Sequence, residues 1–171
     1  MSTTTTDITT IEVSKEYLHF AAAHFTIFSA TERENLHGHN FHVHIDVTAP
    51  VGDDGLTFDY NILKNSLKDL CDEHDEKTLM PTRSPHLQIE LNKDYTVVVF
   101  NDERIPFLPR DIMLLPVRNV TVEELSTYFL DRLVHTPKIV EQDIHQIVLR
   151  CSSGEGQWAK AVWQHDSSTS P

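Results

Sequence analysis

The sequence predicts an α+β fold, an antiparallel sheet with two helices on one face, and three observations carry that prediction. Stretches such as Phe41-His42-Val43-His44-Ile45 alternate apolar and polar residues, the period of a strand with one buried face. Two segments, beginning near Tyr60 and after Thr121, place apolar residues at the wider spacing of amphipathic helices. The order strand, strand, helix, hairpins, helix, strand, strand keeps helices apart from a locally connected sheet, where parallel crossovers would interleave them.

Each element has its own justification. Residues 1–10 are Thr-rich and polar and read as a flexible arm, followed by a single domain over 11–165 and a tail from 166 to 171. The first strand is expected over 11–24, with Leu18, Phe20, Ala22 and His24 on its inward face. The second runs from His37 through Ile45, and the same parity turns His37, His39, Phe41 and Val43 inward and His42, His44 and Asp46 outward. A Gly-Asp-Asp-Gly cluster at 52–55 ends this pair. Asp59 then caps a helix whose stripe is Ile62, Leu63, Leu67, Leu70 and Cys71, ending near His74.

Residues 87–91, 95–100 and 105–108 form a meander of hairpins, part of an insertion spanning about 84–112. A capping box, Thr121-Val122-Glu123-Glu124, opens the second helix, whose stripe includes Leu125, Tyr128, Phe129 and Leu133 before Pro137 stops it. The last two strands cover 144–151 and 158–163 and turn at Ser152-Ser153-Gly154-Glu155-Gly156. Such a sheet has open edges that pair readily with other copies, so a homo-oligomer is expected.

Charge and composition exclude several functions. A chain of 171 residues suits one domain, and 26 acidic against 14 basic residues give a net charge of −12 with no basic cluster for a nucleic-acid backbone. No window is apolar for the roughly 18 residues a membrane span needs, and no signal peptide is evident, so a soluble cytoplasmic protein is expected. Two cysteines, Cys71 and Cys151, make no disulfide framework. There is no G-x-S-x-G elbow, P-loop or dinucleotide fingerprint.

The chemistry points to a metal. His37 and His39 lie at i and i+2 of a strand and offer two imidazoles on one face, with Gly38 between them leaving room for close approach. Histidine pairs of this kind are also ordinary half-buried residues. Facing parity selects His24 as a third, so three imidazoles can face one metal ion.

Phe20-Ala21-Ala22-Ala23-His24, then Glu34-Asn35-Leu36-His37-Gly38-His39-Asn40-Phe41, Phe58-Asp59 and Asn119-x-Thr121-x-Glu123 together resemble the 6-pyruvoyl-tetrahydropterin synthase and 6-carboxy-tetrahydropterin synthase family. The likeness spans most of 11–163 outside the insertion. It implies a tunnelling fold whose subunits close into β-barrels as trimers or hexamers, with active sites at subunit interfaces. It implies Zn2+ on His24, His37 and His39, and a pterin substrate such as 7,8-dihydroneopterin triphosphate whose side chain is rearranged or cleaved. Thr121 and Glu123 map onto substrate-binding positions.

Three positions depart from the family pattern. The catalytic cysteine expected before HGH is absent, and Glu34 matches a variant E-x-x-H-G-H pattern associated with cleavage to 6-hydroxymethyl-dihydropterin for folate synthesis. As a general base Glu34 needs a pKa raised by burial or by a like charge; the plainer reading is a solvated loop charge beside Glu32 and Arg33. The Asp-His relay maps onto Asp75 and Glu76, so His74 with Asp75 is the candidate relay, against a helix-end histidine favoured by the dipole. The glutamate that anchors the pterin is replaced by Cys151, leaving Glu155 as the candidate anchor.

The leading reading is a zinc-dependent lyase. The alternatives are 6-carboxy-tetrahydropterin synthase activity in queuosine biosynthesis or 6-pyruvoyl activity with a relocated base, and a zinc-containing binding protein without turnover.

Overall fold

A computed structural model describes residues 7–165. Its spine is one long strand, β3 (His37–Pro50), and the other strands assemble along it. Its 14 residues alternate between the core and the opposite face, so Phe41, Val43, Ile45 and Val47 are fully buried. One edge of β3 pairs first with β2 (His19–His24) and then with β1 (Ile8–Val13), both antiparallel, and the other edge pairs with β9 (Gln146–Ser152). β10 (Ala159–Gln164) closes that side against β9.

The expected first strand is thus two strands. A turn in which the Leu18 amide bonds the Lys15 carbonyl at 3.0 Å breaks the run, and each piece takes its own stretch of β3. Residues 8–10, expected in the arm, are paired strand.

On the far side of β2 lie β4 (Lys77–Pro81) and β8 (Ile112–Leu115), two short strands that the periodicity did not mark, and both join in parallel. The sheet is therefore antiparallel-rich but mixed. Helix α1 (Asn61–His74) and helix α2 (Val122–Val134) cover one face, with Leu63, Leu67, Leu125, Phe129 and Leu133 buried against the sheet. The N-cap of α1 is Tyr60, which makes no side-chain cap, and the expected cap Asp59 lies one residue earlier, its carboxylate accepting the Asn61 amide at 3.0 Å.

The capping box of α2 is half made: the Thr121 hydroxyl accepts the Glu124 amide, but the Glu124 carboxylate turns to the amide and guanidinium of Arg118. Pro137 ends α2 only by opening a one-turn helix, α3 (Pro137–Val140).

The insertion forms a separate sheet of β5 (Gln88–Leu91), β6 (Thr96–Phe100) and β7 (Glu103–Phe107), the hairpins foreseen from the sequence. It has its own apolar cluster, in which Val98 and Phe100 meet Phe25, Ile27 and Met80. No helix among the described residues is long and apolar enough to cross a membrane.

A cluster of aromatic rings lies beneath α2. Phe20 stacks on Phe41 with centroids 5.0 Å apart and on Phe129 at 5.4 Å. His74 is sealed beside them, 4.8 Å from the Phe129 ring and fully buried, with Nδ1 donating to the Leu70 carbonyl at 2.7 Å.

Two outcomes test this core. Phe129→Ala opens a cavity between α2 and the sheet and is expected to cost about 3–5 kcal/mol in chemical denaturation. Burial holds the His74 pKa below its ordinary 6.5, the Leu70 bond opposing only in part. Below that pH the unfolded chain takes up a proton that the folded chain refuses, so stability falls as pH drops from 6.5. His74→Met should flatten part of that slope when midpoints are measured from pH 7 to 5.

Candidate active site

The strand register builds the site. His24 lies opposite His37 and Ala22 opposite His39, so pairing puts all three imidazoles on one face at the loop end of the β2–β3 hairpin. Their ligating atoms lie within 4.8 Å of one another. Phe41 is the floor, meeting the His24 and His39 rings edge-on at 5.4 and 5.8 Å.

The hydrogen bonds set the tautomers. His24 Nδ1 bonds the Val120 carbonyl at 2.8 Å and His37 Nδ1 bonds the Asn35 carbonyl at 2.8 Å. A carbonyl only accepts, so each Nδ1 carries the proton and each Nε2 presents a lone pair. His24 Nε2 is buried without a partner, and His37 Nε2 stands 2.9 Å from His39 Nε2. That spacing suits an N–H of His39 donating to the His37 lone pair, or a cation shared by the two nitrogens. Burial first, then the neighbouring imidazoles, hold His24 below its usual pKa and so neutral, the ligating form. This donor set fits a zinc ion.

Gly38 turns out to be less constrained than its neighbours suggested. A Cβ there would meet the Ala22 carbonyl at 3.5 Å, an ordinary contact, and would project away from the imidazoles.

Asn119 seats the His24 partner. Its amide donates to the Ile27 carbonyl at 2.8 Å and its carbonyl accepts the Ile27 and Val120 amides at 3.1 Å, tying the segment after β2 to the start of α2. The sequence marked Asn119 within a motif without revealing this task.

A cavity of about 520 Å³ opens over the imidazoles. Glu34, Thr121 and Glu123 line it together with the three histidines, so six of the nine residues singled out from sequence meet there. α2 delivers the last two: Thr121 is its cap and Glu123 sits in its first turn.

Glu34 is half-buried and its carboxylate accepts the Thr26 amide at 2.9 Å. Desolvation raises its pKa, but the Thr26 bond and the charges of His37 and His24 outweigh this and leave it lower than usual. The expected upward shift is therefore reversed. Glu34 is ionised at neutral pH, available as a base rather than strengthened as one.

The remaining three residues do not join the cavity. His74 is enclosed by Phe20, Tyr128 and Phe129, and Asp75 spends its carboxylate on the Ala21 amide at 2.7 Å, so the two make no relay within the chain. A helix end with an apolar underside draws the ring inward. Glu155 is exposed in the β9–β10 turn, while its neighbours Ser153, Gln157 and Trp158 line the cavity. The Trp158 indole packs on the His44 ring at 4.3 Å, which aims that loop at the site and which no local periodicity announces. Cys151 faces the core opposite Val43, fully buried, its thiol pushed up to about 12 by desolvation. Arg118 pairs with Glu124 and does not line the cavity.

Comparison with known proteins agrees with this architecture. A structure of 6-pyruvoyl tetrahydropterin synthase from Plasmodium vivax superposes with a TM-score of 0.86 at 25% identity, covering 93% of this chain and 99% of that one. The Plasmodium falciparum 6-pyruvoyl tetrahydropterin synthase gives 0.85 at 28% identity, over 92% and 99%. Variants of the P. vivax enzyme, in which a glutamate described as catalytic is replaced by alanine or cysteine, superpose equally well. A provisionally named 6-carboxy-5,6,7,8-tetrahydropterin synthase of Methanocaldococcus jannaschii is 28% identical over 144 residues, 83% of this chain and 88% of its own length. The family model for 6-pyruvoyl tetrahydropterin synthase matches residues 12–161, and on that match the chain belongs to this family.

Proposed function

We propose that the protein is a zinc-dependent lyase acting on the side chain of 7,8-dihydroneopterin triphosphate or a related dihydropterin. The observation that carries the reading is the convergence of three imidazoles and an ionised carboxylate on one cavity. His24, His37 and His39 would hold the zinc. When bound, it supplies a Lewis acid that lowers the pKa of a substrate hydroxyl.

Glu34 takes a proton from the substrate side chain and returns it to the carbon left by bond breaking. Its fixed hydrogen bond to Thr26 holds the carboxylate at the cavity wall, and a glutamate described as catalytic in a family member supports the assignment. Thr121 and Glu123, at the mouth formed by α2, bind polar atoms of the pterin. With Cys151 buried where the family's usual anchor stands, the pterin ring is held instead by Ser153, Gln157 and Trp158, a reading supported by their position in the cavity lining. A homo-oligomer fits the open edges at β8 and β10, and a soluble cytoplasmic setting fits the composition.

A second reading rests on the archaeal relative, whose name implies a 6-carboxy product. Product analysis separates the two. Zinc-loaded protein incubated with 7,8-dihydroneopterin triphosphate should give 6-hydroxymethyl-dihydropterin by mass spectrometry. A carboxy or pyruvoyl product favours the second reading, and no product with no pterin binding overturns both.

Glu34→Gln should lower kcat by about 10²- to 10⁴-fold with zinc content unchanged, whereas unaltered turnover would remove Glu34 from the chemistry. Asn119→Ala should weaken zinc binding by roughly 10- to 100-fold in chelator competition, because the His24 ring loses its orienting carbonyl.

A further inference from the structure

We propose that Arg33 is a positioning residue through which the β5–β7 sheet holds Glu34 at the cavity. The inference rests on the proton-transfer role given to Glu34 above, and it concerns an arginine whose neighbours in sequence suggested only a polar turn.

Residues 25–34 fold back on themselves. Ile27 and Arg33 form an isolated antiparallel bridge, the Glu34 amide donates to the Thr26 carbonyl at 2.9 Å, and the Phe28 amide donates to Glu32 at 2.9 Å. This short hairpin leaves β2 immediately after His24 and brings Glu34 over the imidazoles. Nothing in β2 or β3 pairs with its outer limb. Arg33 makes the outside connection.

The Arg33 side chain is only 16% exposed, low for a residue in a polar loop. Its guanidinium lies 4.7 Å from the Phe25 ring centroid and 5.7 Å from that of Phe100. Nε and Nη2 both donate to one Glu103 oxygen, and Nη1 donates to the Glu34 carbonyl at 2.8 Å. One planar fork therefore joins the insertion to the backbone of the proposed base. A lysine ammonium, a single point charge, cannot make these contacts together.

The insertion is shaped to present this partner. Asn101 and Asp102 both adopt positive φ, 42° and 66°, as the two-residue turn between β6 and β7 requires. That turn sets Phe100 directly opposite Glu103, so the aromatic and the carboxylate that receive Arg33 come from a single pair. Phe100 is 2% exposed and packs with Phe25 in the second apolar cluster, which makes the platform rigid. With its amide on Thr26, its carbonyl on Arg33 and its carboxylate on Thr26, Glu34 has three polar groups fixed.

Amide hydrogen exchange by mass spectrometry, beside steady-state kinetics, tests the proposal in Arg33→Ala and Glu103→Gln. Glu103 lies outside the cavity, and its substitution keeps the fold if Arg33→Ala does not. Exchange in the 25–34 segment should rise at least about tenfold while β3 stays protected. kcat should fall by about 10- to 100-fold with KM, zinc content and Tm close to those of the parent. Unchanged exchange in both variants overturns the proposal, as does protection lost evenly along the chain, which marks a general destabilisation. Faster local exchange with undiminished kcat overturns it too. If the parent itself shows no turnover, the lyase reading fails separately and the exchange pattern alone decides whether Arg33 anchors the loop.

Discussion

The placement of His24 opposite His37 is the constraint on which the rest of the structure depends. Side chains along a strand alternate in facing, so a slip of one residue between β2 and β3 would turn one set of imidazoles to the opposite surface. The register is held from below by the Phe20–Phe41 stack, which is fully buried and pressed by Phe129. Packing of three phenyl rings, an apolar matter, thereby decides where three polar rings can converge. The same layer explains why the hydroxyl and carboxylate groups of the cavity come from α2 and the 25–34 loop: the helix sits where Phe129 docks, and its first turn projects over the strand ends.

Two apolar clusters flank the site, one under α1 and α2 and one under the small β5–β7 sheet. β2 belongs to the first and the residues just beyond it, Phe25 and Ile27, to the second. His24 stands at the seam. A polar side chain there is buried from both sides, which keeps the imidazole neutral and leaves its Nε2 lone pair without a hydrogen-bond partner.

Much of this was legible in the sequence because it is periodic or local. Alternation around His37-Gly38-His39 reports its own facing, and the helix stripes report theirs, so the histidine trio and the two helices could be read directly. Glu34, Thr121 and Glu123 came from a family resemblance and do meet the histidines in one cavity. What stayed hidden is set by distant pairing. β4 and β8 are short, carry no alternation of their own and are strands only because β2 offers an edge to β4 and β4 in turn offers one to β8. His74 looked like a polar helix end, yet the space beneath Phe20 and Phe129 claimed it. The Glu34 pKa moved against expectation because an amide at Thr26 outweighs burial, and no one-dimensional pattern shows where that amide points.

The bond between His24 and the Val120 carbonyl joins residues 96 positions apart. Synthesis from the N-terminus proceeds at roughly 5–20 residues per second, so the ligands exist for about 5–20 s before the group that orients the first of them. The β2–β3 hairpin can form early, but His24 is free to present either ring nitrogen until α2 docks. The nascent chain therefore carries its set of imidazoles before the fold fixes how they face. Orientation of His24 is a late event, tied to completion of the core rather than to the appearance of the motif.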